Sequence, residues 1–413
     1  MAARKRLARS ASSGSSGWRQ RISWGRFLGC AAVGLLLATA GGVGTAAILA
    51  QKRAPPLALK VWPGNPVANN RVAATYFAQQ GERPAMDKII EISQRSIRAQ
   101  GLNPEALRNI GLAQSLNDRG DAARPLFDLA FRQRRRDGVT NLWLAEDAIR
   151  RGENRRGLIL LDRALRVEGG LQQTIFPMFA RALPDPAFSR EIAPFMARRP
   201  DWALNFVAYA LNESEALLSF AGLVESQPAV EQLLSSDRRR LLVRRLAETG
   251  EYVLADALYR RWTGQADRPP ASYGFGVQQG WPPFDWSLGA SGSLSVTQLA
   301  AREALEVTVT GSGSKRVAWR VLHLEPGVYR FSAKAEALDG ELSELGLRVT
   351  LSCADGGSTL LGSLGWVRGA QAVQESSLEI PRGCEWQWLT VRAIAVQRPH
   401  SALLSALEID QLR

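Results

Sequence analysis

The sequence predicts a multidomain chain in three parts: a single transmembrane helix, an all-α array of repeated helical hairpins, and a C-terminal all-β sandwich. Three observations predict it. Residues 27–50 form a run of 24 positions without a charge. A set of small and large apolar residues between positions 111 and 164 recurs after 34 residues. Beyond residue 264 the helical spacing of apolar residues gives way to short apolar runs divided by Gly, Ser and Asp.

The N-terminal elements come first. Residues 1–26 carry seven Arg and Lys and no acid, with a Ser/Ala/Gly run at 10–17, and read as a basic disordered tail. The charge-free run at 27–50 has the length that crosses a hydrocarbon core, about 20 apolar residues. Trp18 and Trp24 stand where an interfacial aromatic belt would lie. Seven basic residues precede the run and Lys52 and Arg53 follow it, so the positive-inside bias puts the N terminus in the cytoplasm and the bulk of the chain outside. A cleaved signal peptide is the rival reading, argued against by the long leader and long apolar run. Residues 51–69, with Pro55, Pro56, Pro63 and Pro66, read as an extended Pro-rich linker.

Residues 70–264 carry apolar positions at helical spacing, broken by short polar or Gly/Pro turns. Gly111, Ala123, Phe127 and Ala130 are followed 34 positions later by Ala145, Gly157, Leu161 and Ala164. Small residues at these offsets let two helices approach closely while the large residue fills the space beside them. Weaker copies fit at 70–101, across the turn at 184–186, at 201–227 and at 236–263. The pattern resembles the tetratricopeptide repeat, and the resemblance implies a solenoid that binds partner proteins. Asn141 stands where the family's first aromatic usually sits, and Arg135 and Gly169 where its closing proline sits.

Residues 265–272 are a polar linker with Pro269 and Pro270, and 273–413 form the sandwich. Strands are expected at 305–309, 317–322, 328–335, 347–351, 378–380, 389–396 and 406–410. Cys353 and Cys384 are the two cysteines beyond the apolar run. In an exported domain they can pair, and two buried free thiols are the alternative. The segment Leu324-Glu325-Pro326-Gly327-Val328-Tyr329 and the ending Leu407-Glu408-Ile409-Asp410 resemble a carbohydrate-binding-module jelly roll. That resemblance implies a glycan held on exposed aromatic faces. Trp366, in a Gly-rich loop at 362–369 with Arg368, is the candidate contact, with a packed or incidental tryptophan as the alternative. Trp386 and Trp388 read as core near Cys384, and Trp281 and Trp286 as caps of the sandwich edge or contacts to the last hairpin.

Catalytic chemistry has no foothold in the sequence. His323 reads as a structural strand residue and His400 as an exposed loop residue. Neither has a Cys, Asp or Glu pattern of metal-ligand spacing, so no metal and no cofactor are expected. Residues 311–315 lack the full phosphate-loop spacing and read as a turn. The arginine runs at 134–136, 238–240 and 260–261 read as solvated helix ends, with contact to a phosphate or an acidic polymer as the alternative. The expectation is a non-enzymatic protein of a bacterial inner membrane, N terminus cytoplasmic and bulk periplasmic. It would be a scaffold binding protein partners of an envelope assembly complex, and a glycan through its sandwich, in exopolysaccharide or envelope polysaccharide assembly or export, without nucleic acid. One alternative is a pure protein–protein scaffold in envelope division or secretion; another is an enzyme accessory or hydrolase, which a deep cleft with two facing carboxylates would indicate.

Overall fold

The computed structural model describes residues 45–46, 48–78, 85–264, 273–276, 280–311, 313–339, 345–354, 359–366, 372–395 and 400–412. The chain divides into two compact units, Met1–Leu161 and Asp162–Arg413. No helix among the described residues is long and apolar enough to cross a membrane. The tail at 1–26, residues 27–44 and 47 of the span at 27–50, and the linker at 265–272 lie outside them.

The first unit is helical: α1 (Pro55–Val61), α2 (Pro66–Ala78), α3 (Met86–Gln100), α4 (Pro104–Leu116), α5 (Gly120–Gln133), α6 (Gly138–Arg150) and the start of α7 (Asn154–Val167). The expected extended linker at 51–69 is instead helical, in α1 and the start of α2. Its prolines act as helix starters: Pro55 opens α1 and Pro66 opens α2, where the missing N–H would have had no partner. Three helix starts share one device that the sequence did not reveal. Asn65 and Asp137 accept from the amides of Ala68 and Thr140 as N-caps, and Asp185 does so from Ala187. Four residues after each cap, the buried Asn69, Asn141 and Ser189 donate to the carbonyl six residues back, at Pro63, Arg135 and Leu183. Asn141 therefore replaces the expected aromatic with a buried clamp on the preceding turn.

The repeat positions meet as small-to-large contacts. A Cβ on Gly111 would stand 2.8 Å from the Phe127 ring, so α4 and α5 touch at a point only glycine allows. A Cβ on Gly157 would stand 2.5 Å from Ile149 Cγ1 and 3.2 Å from the Ala145 carbonyl. Ala123, Phe127, Ala130, Ala145 and Ala164 are buried, and Leu161 is half-buried. Phe127 stacks on Trp143 with centroids 4.2 Å apart. Beside them Asp147 accepts both guanidinium bonds of Arg124, at 3.0 and 3.1 Å, and pairs with Arg151. Burial alone would raise the Asp147 carboxyl; the hydrogen bond and charge of Arg124, then Arg151, outweigh it and hold it below its ordinary value.

The second unit continues with α8 (Gln172–Ala182), α9 (Pro186–Ala197), α10 (Asp201–Asn212), α11 (Ser214–Ser226), the short α12 (Pro228–Glu231), α13 (Ser236–Glu248) and α14 (Tyr252–Thr263). Phe179, Trp202, Phe206 and Phe220 fill its helical core, and Trp202 donates to Asp162.

Two five-stranded antiparallel sheets follow. Sheet A runs β1 (Ser287–Leu288), β4 (Gly313–His323), β9 (Trp386–Ala395), β6 (Arg348–Cys353), β7 (Leu360–Gly365). Sheet B runs β2 (Leu294–Leu299), β3 (Ala304–Val309), β10 (His400–Gln411), β5 (Gly327–Ala337), β8 (Val373–Ile380). Alternation sets the faces. In β5, Tyr329, Phe331, Ala333 and Ala335 point inward; in β9, Leu389, Val391 and Ala393 do. Tyr329 donates its hydroxyl to the Glu325 carbonyl across the Pro-Gly turn. Cys353 and Cys384 are joined by a disulfide with Cα atoms 5.5 Å apart, tying the end of β6 to the turn before β9.

Candidate functional site

Trp366 is not the exposed contact that the Gly-rich stretch implied. The first half of that stretch is strand β7, and Trp366 follows it with its ring fully buried and its Nε1 donating to the Ala372 carbonyl. A pyranose could not reach that face without dismantling the core. Arg368 lies outside the described residues. His400 begins β10 and is buried rather than looped out.

Trp386 and Trp388 also depart from expectation. They sit on the outer face of sheet A, because Leu389, Val391 and Ala393 take the inner one. The last helix covers them. Tyr252 of α14 stacks on Trp386 at 5.7 Å and meets Trp388 edge-on at 6.3 Å, and Trp388 Nε1 lies 3.3 Å from the Tyr252 hydroxyl. Tyr259 stacks on Phe284 at 5.0 Å, and Trp281 meets both Tyr259 and Trp262. Trp281 thus contacts the last hairpin, while Trp286 packs on Phe275 within the sandwich. Two of the arginine runs, 238–240 and 260–261, serve this packing rather than lying solvated: Arg239 lies over Trp262, Arg240 over Trp281, and Arg261 pairs with Glu231.

A small cavity of about 110 Å³ lies in this joint, lined in part by Asp256, Tyr259, Arg320 and His323. Burial dominates its chemistry. It raises the Asp256 carboxyl against the opposing pull of Arg260, pushes Tyr259 up to about 12, and lowers Arg320. Arg320 donates to the Phe284 carbonyl at 2.8 Å, and Asp285 accepts from the Trp281 amide at the same distance. These groups secure the helix–sheet joint.

Next to it opens a cleft of about 360 Å³, lined by Arg244 and Glu248 of α13, by Pro282, Pro283 and 286–288, and by the indoles of Trp319 and Trp388. Trp319 comes from β4 and Trp388 from β9, on the same outer face. Arg316 lies 4.2 Å from the Trp319 ring centroid and 5.5 Å from that of Trp388. Glu248 is held by Arg244 at 3.8 Å and Arg245 at 3.2 Å. Flat apolar rings beside a carboxylate and guanidinium groups suit a ligand with C–H faces and hydroxyl edges.

The legible signal was phase. Trp386, Trp388, Thr390 and Arg392 alternate with Gln387, Leu389, Val391 and Ala393, and an arginine in the tryptophan set marks that set as outward. In β4 the irregular register between Arg316 and Ala318 breaks the alternation and hides Trp319 inside an apolar run.

No protein-family model matches the sequence, and no curated protein matches it. Among solved structures the chain is similar to a CBM4 structure at 14% identity, over 33% of this chain and 92% of that one, with a TM-score of 0.25. It is similar to TmCBM61, described in complex with β-1,4-galactotriose, at 14% identity over 31% of this chain and 88% of that one, with a TM-score of 0.23. A structure of promiscuous carbohydrate-binding modules from the β-sandwich superfamily matches at 14% identity over 34% of this chain and 62% of that one, with a TM-score of 0.24.

Proposed function

We propose that the protein is a helical-repeat scaffold whose sandwich holds a glycan in the Trp319–Trp388 cleft. The observation that carries this reading is the pair of partly exposed indoles lining one cleft with Arg244 and Glu248. In this reading the cleft is a binding site, with Glu248 the carboxylate that lines it among the described residues. The helical hairpins, read as tetratricopeptide-like, hold protein partners. Together they serve exopolysaccharide or envelope polysaccharide assembly, from an inner-membrane anchor at 27–50 with the bulk in the periplasm.

The test is calorimetric titration of the full-length protein with neutral and acidic bacterial polysaccharides. Trp319→Ala removes a stacking face and weakens binding by roughly 30-fold, the loss of a tryptophan hot spot worth about 2 kcal/mol. Trp319→Phe keeps most of the affinity, and thermal melts of both variants report any loss of fold. Glycan binding indifferent to Trp319→Ala removes the cleft from the proposal. No binding to any polymer favours the alternative, a protein scaffold without sugar.

A further inference from the structure

The outer face of sheet A carries a row of three arginines beside the cleft. Arg316 of β4 is in register with Arg392 of β9, and Arg392 with Arg348 of β6. All three are exposed. With strands about 4.8 Å apart, the row spans roughly 10 Å. Like charges set directly opposite one another on a sheet oppose its stability. Among the described residues none of the three has an acid within ion-pair distance. Partial burial of the Arg316 guanidinium lowers it from its ordinary value, and the charge of Arg392 adds to this to a lesser degree.

The charges of the two sheets are sorted. The strands of sheet A contain five basic residues, Lys315, Arg316, Arg320, Arg348 and Arg392, and no Asp or Glu. Those of sheet B contain six acids, Glu306, Glu336, Glu375, Glu379, Glu408 and Asp410, against Arg330 and Lys334. The acids of sheet B are partly met within their own sheet, by Arg330 on Asp410 and Lys334 on Glu336. The arginine row has no such partner. Thr350, Ser352 and Ser363 lie on the same face and offer hydroxyls alongside it.

Building on the glycan-binding cleft, we propose that the polymer it holds is anionic, and that Arg316, Arg392 and Arg348 read its acidic groups while Trp319 and Trp388 stack its rings. A carboxylate-bearing polysaccharide fits because guanidinium forks bind carboxylates through two parallel hydrogen bonds. The row continues from the cleft, since Arg316 already stands against both of its indoles.

The test uses the full-length protein with polygalacturonate and alginate as acidic probes and dextran and a neutral galactan as uncharged ones. Poly-glutamate and single-stranded DNA serve as acidic polymers without sugar rings or without carboxylates. The Arg348→Gln/Arg392→Gln variant weakens binding to at least one polyuronate tenfold or more and removes most of its salt dependence, with any neutral binding unchanged. Arg302→Gln, on an exposed turn before β3, leaves both unchanged. Polyuronate affinity equal in the arginine variant and the parent overturns the proposal, while loss on Trp319→Ala in the same experiment leaves the cleft standing. Failure to bind any polysaccharide overturns both. Poly-glutamate or DNA bound as tightly as polyuronate, with the same arginine dependence, reduces the row to a general polyanion patch. Loss of self-association in the arginine variant, seen by sedimentation without loss of polyuronate binding, assigns the row to a second copy's acidic sheet B instead.

Discussion

Replacing Gly111 by alanine tests the helix packing at its tightest point. The added Cβ would meet three atoms of the Phe127 ring at 2.8, 3.0 and 3.2 Å. The ring cannot swing aside, because it is fully buried and stacked on Trp143 at 4.2 Å with an interplanar angle of 12°. Overpacking of this kind costs about 1–3 kcal/mol, and the pinned ring puts this site near the upper end. Alanine recovers about 1 kcal/mol of helix propensity. The net loss is about 2 kcal/mol, which for a unit of this size lowers Tm by roughly 4–8 °C. Gly120→Ala is the control in the same unit. It has nothing within 4 Å of the new Cβ and gains about 0.4–1 kcal/mol. Differential scanning calorimetry on both variants reads the opposite signs. Gly111→Ala combined with Phe127→Leu should recover part of the loss, giving a coupling energy between the two positions. A Gly111→Ala variant that melts higher than the parent would show that α4 and α5 do not touch there, and the reading of the 34-residue echo as a packing code would fail.

Three further outcomes follow from the same structure. Asp147→Asn removes the buried charge facing Arg124 and Arg151 and one of its two acceptor oxygens, and costs about 1–3 kcal/mol at neutral pH. Because the folded carboxyl lies below its unfolded value of 3.8, its contribution is complete above that value and is lost as pH falls through and below it; acid unfolding curves of the variant should lack this step, and an unchanged curve would remove the pair from the stability account. Reducing the Cys353–Cys384 bond opens a loop with a sequence separation of 31. The chain-entropy argument gives a loss of about 3–4 kcal/mol, read as a lower Tm for the sandwich in dithiothreitol, and no shift would contradict it. Tyr259 and Tyr273 are both pushed up to about 12 by burial, above the usual 10. A raised folded value favours the native state below pH 10 and loses that advantage as pH climbs toward 12. Alkaline unfolding and late tyrosinate absorbance should therefore coincide in that window, whereas two tyrosines ionising at 10 with the fold intact would refute their burial.

How much of this was legible depended on whether a position's role was local. Gly111 and Phe127 could be read because a close approach leaves a small-and-large pair at a fixed helical offset. The strand at 328–335 could be read because Tyr329, Phe331, Ala333 and Ala335 alternate with polar residues. Residues 51–69 misled because prolines that start helices look, in composition, like prolines that forbid them; the Asn65 cap marks the start of α2, but α1 begins after Ala54 with no side-chain cap. Trp366 misled because glycines flank it. Gly362 is there so that Leu378 can pack closely: a Cβ on it would stand 2.9 Å from Leu378 Cδ2. Trp319 was missed because its partners, Trp388 and Arg244, come from a distant strand and a helix. No window of sequence holds them together.

The aromatic joint of Tyr252, Tyr259, Phe284, Trp386 and Trp388 has a consequence for how such a protein can be inherited. Composition places a seam between residues 264 and 273, where recombination would be expected to swap one sandwich for another. A gene broken there would yield a helical stub and a sandwich that each turn a freshly bared ring surface to water, and both pieces would be sticky products. The smallest portable cassette is the sandwich together with α13 and α14. A descendant that acquired a different sandwich would have to bring its own helical hairpin, so the two are expected to travel, and to diverge, as a single hereditary unit.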